Sequence, residues 1–254
     1  VVERAMTETS LLYDILGGAS PAANTPPRPS AVFHNDRVLH AGLSATEVLS
    51  ENPLGLALAN GWTPVGGPYR VTKTSEDRVL KIDGRPAWEV YEDFLADQGI
   101  ELTQRPTGED LMRLLLTYPM GICSTESTKS DCKVSVLMGV DDNGALRTTS
   151  PPSSGSLIHF LATQPDAMIT AAKRAIAGAL QTNQASASAG ALFIDCVSTG
   201  MVLADAYEQQ RAAVSEYLGD IPFLGIRSHG VLARLQGQTT GHYECSVATC
   251  ILPT

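Results

Sequence analysis

No apolar run in this sequence approaches the ~18–20 residues needed to cross a membrane, so no segment reads as a transmembrane helix. No charged and then apolar leader opens the chain. Val1 is not a natural start, however, and the chain reads as beginning in mid-domain. Charge is scarce, at 18% of residues, and one-sided, with 18 Lys and Arg against 27 Asp and Glu and a net charge of −9. Such a surface repels nucleic-acid phosphates and anionic lipid, but does nothing against a small ligand. The five cysteines are an odd number and show no Cys-x-x-Cys spacing, which argues against a zinc site. There is no His-Glu-x-x-His, no nucleophile elbow, no Lys-bearing phosphate loop and no dinucleotide spacing. No period of 20–50 residues repeats, so a solenoid or propeller is excluded as a reading. What the chain does have is 254 residues that are 43% hydrophobic. That suits one large domain or two lobes of roughly 100–150 residues each.

The chain reads as hairpins and helices in alternation. Residues 1–16 suggest a short helix, stopped by Gly17-Gly18, and the proline-rich 20–30 stretch an extended loop. Residues 31–43 suggest a hairpin turning at Asn35-Asp36, and 54–59 a short apolar strand. Residues 61–95, GWTPVGGPYRVTKTSEDRVLKIDGRPAWEVYEDFL, carry the clearest pattern. Residues 69–74 alternate as a half-buried strand, Glu76-Asp77 turn, and 78–82 return. Pro86 then opens a helix, where its missing N–H costs nothing. Trp88, Tyr91 and Leu95 fall on one face of it, with Val90 and Phe94 beside them. A second amphipathic helix over 108–118 turns Leu111, Leu114 and Leu115 inward. A hairpin follows across Asp141 to Gly144, then a strand at 157–162 and an alanine-rich helix at 165–180. A polar loop spans 181–189. A strand at 191–197, a helix at 203–218, and strands at 222–228, 231–235 and 243–252 complete the chain. These elements predict an α+β fold of mostly antiparallel sheets with packed helices, in two lobes over residues 1–150 and 151–254.

The order of a Gly-Trp, a Val-Gly-x-Pro, a hairpin and an Asp-Gly-x-Pro-Ala before an aromatic helix resembles the FIST module of F-box and intracellular signal transduction proteins. The stretch from Ala191 to Arg234, with a strand ending in cysteine, a helix and a strand leading to a Ser-x-Gly turn, is similar to the C-terminal FIST segment. The closing GHYECSVATCILP is similar to its last strand. The N-terminal FIST-like lobe would lack its start. Asn60, Thr199, Val231 and the Tyr243–Cys245 stretch depart from the polar residues common in the family. The resemblance implies a cytoplasmic sensory domain that binds a small ligand, an amino acid-like molecule or haem with nitric oxide. It would signal through a partner such as a kinase or cyclase.

Five residues stand out as ligand contacts, each with a structural alternative. Cys196 ends a strand that opens a helix, where a thiolate gains stabilisation; the alternative is a small buried residue. His229, between Ser228 and Gly230, could ligate haem iron or receive a ligand proton, or could be a turn residue bonded to backbone. Gly18 in Gly17-Gly18-Ala19-Ser20 would let backbone approach a ligand, or end a helix. Trp62 could roof a ligand or anchor a core. Arg70 could clamp a carboxylate or pair on the surface. A Cys196–His229 dyad would make a thiol-dependent enzyme, and a ligand-free interaction scaffold is the third class. Reduced thiols are the simplest cysteine state, with a Cys123–Cys132 bridge across a Ser/Thr-rich loop as the alternative.

Overall fold

The computed structural model describes residues 13–20, 31–40, 42–123, 132–183, 187–235 and 241–254. In chain order the first strands are β1 (Ile15–Gly18), β2 (Val32–His34), β3 (Arg37–Leu39) and β4 (Gly55–Ala59). The 61–95 stretch forms β5 (Thr63–Ser75), β6 (Arg78–Ile82), β7 (Arg85–Pro86) and helix α1 (Ala87–Asp97). Then come α2 (Gly108–Thr117), β8 (Met120–Cys123), β9 (Cys132–Ser135), β10 (Leu137–Val140), β11 (Leu146–Thr148) and β12 (Leu157–Ala162). The remainder is α3 (Pro165–Thr182), β13 (Ser188–Cys196), α4 (Val197–Leu203), a 3-10 turn (Ala204–Ala206), α5 (Tyr207–Leu218), β14 (Phe223–Ser228), β15 (Val231–Arg234), β16 (Gly241–Tyr243) and β17 (Val247–Pro253). This is the α+β architecture with mostly antiparallel sheets expected from the sequence.

The chain folds as two compact units, Val1–Asn60 with Met168–Thr254, and Gly61–Ala167. The first is discontinuous, unlike the 1–150 and 151–254 division read from the sequence. The physical reason is strand pairing: β4 joins β17, from the far end of the chain, with Val247 opposite Ala59.

The Gly61–Ala167 unit is an eight-stranded antiparallel sheet, ordered β10-β11-β6-β5-β12-β8-β9 with β7 on β6. The aromatic face anticipated on α1 is its core. Trp88, Val90, Tyr91, Phe94 and Leu95 are all buried. Phe94 and Phe160 stack at 4.7 Å, and Phe160 meets Tyr91 edge-on at 5.0 Å. The Tyr91 hydroxyl donates to the carbonyls of Leu114 and Tyr118, tying the end of α2 to α1. Leu115 is buried, with Leu111 and Leu114 packed against the same core. Cys123 and Cys132 are opposed in the β8–β9 pair and form a disulfide. This corrects the all-reduced expectation: the two strands bring these Cα atoms to 4.0 Å.

The other unit has three layers. Its middle layer is the four-stranded sheet β14-β13-β17-β4, in which β13 and β14 run parallel. Helices α3 and α5 cover one face through Ala171, Ala175, Ile176, Val214 and Leu218, against Ala59, Phe193, Val247 and Ile251. The three-stranded sheet β1-β15-β16 covers the other, with Val231 and Ala233 against Ile194 and Ala248. Hairpin β2–β3 turns at Asn35, as expected, with φ 53°.

Four local expectations change. Residues 15–18 are strand rather than helix end, because β1 finds a partner in β15, with Leu16 opposite Ala233; residues 1–12 and the 21–30 loop lie outside the described residues. Helix starts directly after Cys196 rather than at Leu203, and breaks at Ala204, whose φ of 45° no continuous helix accepts. The α3 helix runs to Thr182, two residues into the expected 181–189 loop. The closing strand splits at residues 244–246, where Cys245 takes φ 50°.

Candidate functional site

Side chains alternate across a strand. In β13 this places Phe193 and Asp195 under the helices, and Ile194 and Cys196 toward the three-stranded sheet. The β13–β14 register sets Asp195 beside Arg227 and Cys196 beside Ser228. The β13–β17 register sets Phe193 opposite Thr249, adding Thr249 to the helix-covered face. On this face four side chains are almost fully buried and polar: Asp195 at 2% exposure, Thr199 at 0%, Gln210 at 1% and Thr249 at 0%. Both carboxylate oxygens of Asp195, the hydroxyls of Thr199 and Thr249, and Gln210 Nε2 lack a hydrogen-bond partner. Buried polar groups are almost always bonded, and each exception calls for an explanation. Of these, Thr199 stands close to Asp195 at the carboxyl end of β13, while Thr249 lies further back along the sheet, opposite Phe193.

Burial pushes the Asp195 carboxyl up from 3.8 to about 6, because the charged form loses water. The Thr199 hydroxyl, the Arg227 guanidinium and the Tyr207 hydroxyl pull it partly back down. None of the three completes a hydrogen bond of ordinary geometry with either oxygen. Arg227 instead stacks on the Tyr207 ring, its guanidinium carbon 3.9 Å from the ring centroid. Its flat group also lies against Gly200, where a Cβ would sit 3.0 Å from it.

The residues singled out from sequence are distributed as follows. Gly18, Cys196 and His229 meet around Ser228 in the first unit, on the opposite face of the sheet from Asp195. A Cβ on Gly18 would come within 2.7 Å of Ser228 Cβ, so that glycine permits close packing of β1. Cys196 is buried beside Cys245, whose thiol burial pushes well up. His229 is exposed; its backbone N–H donates to Ala19 O, and its carbonyl meets His242 Nε2 at 3.0 Å. Among the described residues no group of three or more His, Cys, Asp or Glu side chains could hold a metal ion. Trp62 and Arg70 belong to the second unit. Trp62 is buried at 1% exposure. Arg70 donates to the Gly155 carbonyl rather than pairing with Glu76 or Asp77.

Sequence reasoning passed over Asp195, Thr199, Gln210 and Arg227 as contacts. The available signal was an aspartate inside the apolar run ALFIDC, since Asp is almost never fully buried without a partner.

Comparison with known proteins gives two family matches. The FIST N domain model matches residues 5–85, and the FIST C domain model matches residues 87–233. No curated protein matches the chain. No described helix is long and apolar enough to cross a membrane.

Proposed function

The chain belongs to the FIST family, whose domains are small-ligand sensory modules of signalling proteins, and from that premise we propose that it binds an amino acid-like ligand at the carboxyl ends of β13 and β14. The observation that carries this reading is the buried Asp195 carboxylate with neither oxygen bonded. A carboxylate held from water is costly unless something compensates it. An ammonium or other donor-rich group of a ligand does so, with the Thr199 hydroxyl beside it completing the contacts. The ligand contacts thus move from Cys196, His229 and Gly18 to the face behind them. Ligand occupancy would be read by a signalling partner such as a kinase or cyclase.

The test is a thermal-shift panel of the common amino acids on the purified protein and on Asp195→Asn. A ligand at a hundred times its Kd stabilises the fold by about 2.7 kcal/mol, so a binder raises Tm in the parent and not in Asp195→Asn. A panel with no stabilised member refutes the reading and leaves an interaction scaffold. Haemin titration is expected to give no Soret band, and a stoichiometric band would replace the amino acid with haem. The thiol-enzyme alternative predicts rapid iodoacetamide labelling at Cys196. Its burial predicts a rate no faster than that of free cysteine.

A further inference from the structure

We propose that Arg227 is an oxyanion-binding residue that selects the anionic end of the ligand. The inference deepens the reading above and rests on it for the ligand's position. Asp195 and Arg227 are register partners on adjacent parallel strands and project from the same face. Opposite charges so placed ordinarily pair. Here the guanidinium is drawn aside onto the Tyr207 ring and Gly200, and no Asp195 oxygen is bonded. Among the described residues the Arg227 side chain makes no hydrogen bond or salt bridge; it acts on Asp195 through space only and rests on the Tyr207 ring.

Stacking on an aromatic ring engages the flat face of a guanidinium and leaves its N–H edge uncommitted. That edge carries donors in a fixed fork matching the two oxygens of a carboxylate or phosphate. The ring and the glycine restrict rotation of the group, so less entropy is lost when an oxyanion docks. Arg227 is an exposed residue and Asp195 is buried. The pair therefore presents one accessible cationic fork and one inner acceptor, and a dipolar ligand would lie with its anion outward. Gly200 contributes to this placement: a Cβ there would sit 3.0 Å from the guanidinium, so the group would have to shift to admit a side chain.

The test uses the Arg227 Nε–Hε resonance of the whole purified chain, assigned by its loss in Arg227→Lys. The protein is titrated separately with sodium acetate and with inorganic phosphate at constant ionic strength. The expected result is a saturable shift with at least one anion. A charge-assisted hydrogen bond contributes about 1.5–3 kcal/mol, so losing the fork in Arg227→Lys weakens binding about tenfold or more, read on the Gly200 amide. Saturation by acetate alone assigns a carboxylate ligand, by phosphate alone a phosphate ligand, and by both a general oxyanion site. No saturable shift with either anion overturns the proposal, as does an affinity in Arg227→Lys within about twofold of the parent. Asp195→Asn separates this inference from the reading it rests on. It abolishes amino acid stabilisation but leaves the oxyanion shift in place. A failed amino acid panel with a saturating anion shift therefore sinks only the ligand identity.

Discussion

Replacing Asp195 with asparagine should stabilise the protein, and by an amount that depends on pH. The carboxyl is raised from 3.8 to about 6 by burial, which corresponds to about 3 kcal/mol of unfavourable free energy for the ionised, folded form. The sign follows from proton binding. Between these two values the folded protein holds a proton on Asp195 that the unfolded chain has released, so stability falls as pH rises through the window. Above about pH 6 the full penalty is present; below about 3.8 it is absent. Asparagine is nearly the same size, carries no charge and never incurs that penalty. It remains a buried polar group, which offsets part of the gain, so a net stabilisation of about 1–3 kcal/mol is expected at pH 7.5. Urea denaturation of both proteins at pH 4, 5, 6 and 7.5 measures it, with other carboxylates cancelling in the difference. The stability gap should open between pH 4 and 6 and stay level above. A gap independent of pH, or a less stable variant at pH 7.5, would refute the assignment of Asp195 as a strained ionised group. A residue whose removal stabilises the fold while abolishing ligand stabilisation would be one kept for binding.

Three further outcomes test the scaffold. Phe94→Ala removes the ring between Phe160 and Tyr118 and should cost about 3–5 kcal/mol, seen as a lower urea midpoint; a loss under about 1 kcal/mol would show that this aromatic cluster does not hold the second unit together. Cys123→Ser with Cys132→Ser opens the bridge between β8 and β9 and should lower stability by about 2–3 kcal/mol; the parent in reducing agent should match the variant, and a parent unaffected by reductant contradicts the bridge. Gly230→Ala forces a side chain onto a residue at φ 99°, where a Cβ would overlap the His242 imidazole; about 2 kcal/mol of destabilisation and a displaced His242 ring resonance are expected, and an unperturbed resonance would count against this turn geometry.

Local periodicity was legible wherever an element's partners lay nearby in sequence. The 61–95 stretch folds as read because its two strands pair directly, Ser75 opposite Arg78, and its helix buries the aromatic face it displays. The misread ends have distant partners. Ile15–Gly18 becomes strand only because Val231–Arg234 is beside it, a pairing no local window contains. The helix after Cys196 breaks at Ala204, whose positive φ an alanine rarely adopts and no local pattern signals. At this strand end the sequence singled out Cys196, whereas the buried carboxylate with unbonded oxygens is its neighbour Asp195. Cys196 is chemically conspicuous, but alternation turns it toward the three-stranded sheet, while Asp195 faces the helices.

The chain path explains why Asp195 and Arg227 come together at this strand end. Strands β13 and β14 run parallel, and their exits diverge. β13 passes straight into α4, and the chain continues to α5 on the helix-covered face. β14 turns at His229 into β15, on the opposite face. In open sheets, parallel neighbours whose connections leave to opposite sides part at their carboxyl ends, and ligands bind there. Asp195 and Arg227 are the helix-side residues at that parting, one per strand. Between other neighbours in this sheet the pairing is antiparallel, so no second pair of carboxyl ends lies side by side. The fold thus brings one acceptor and one donor fork to one strand-end site, and leaves them unbonded to each other.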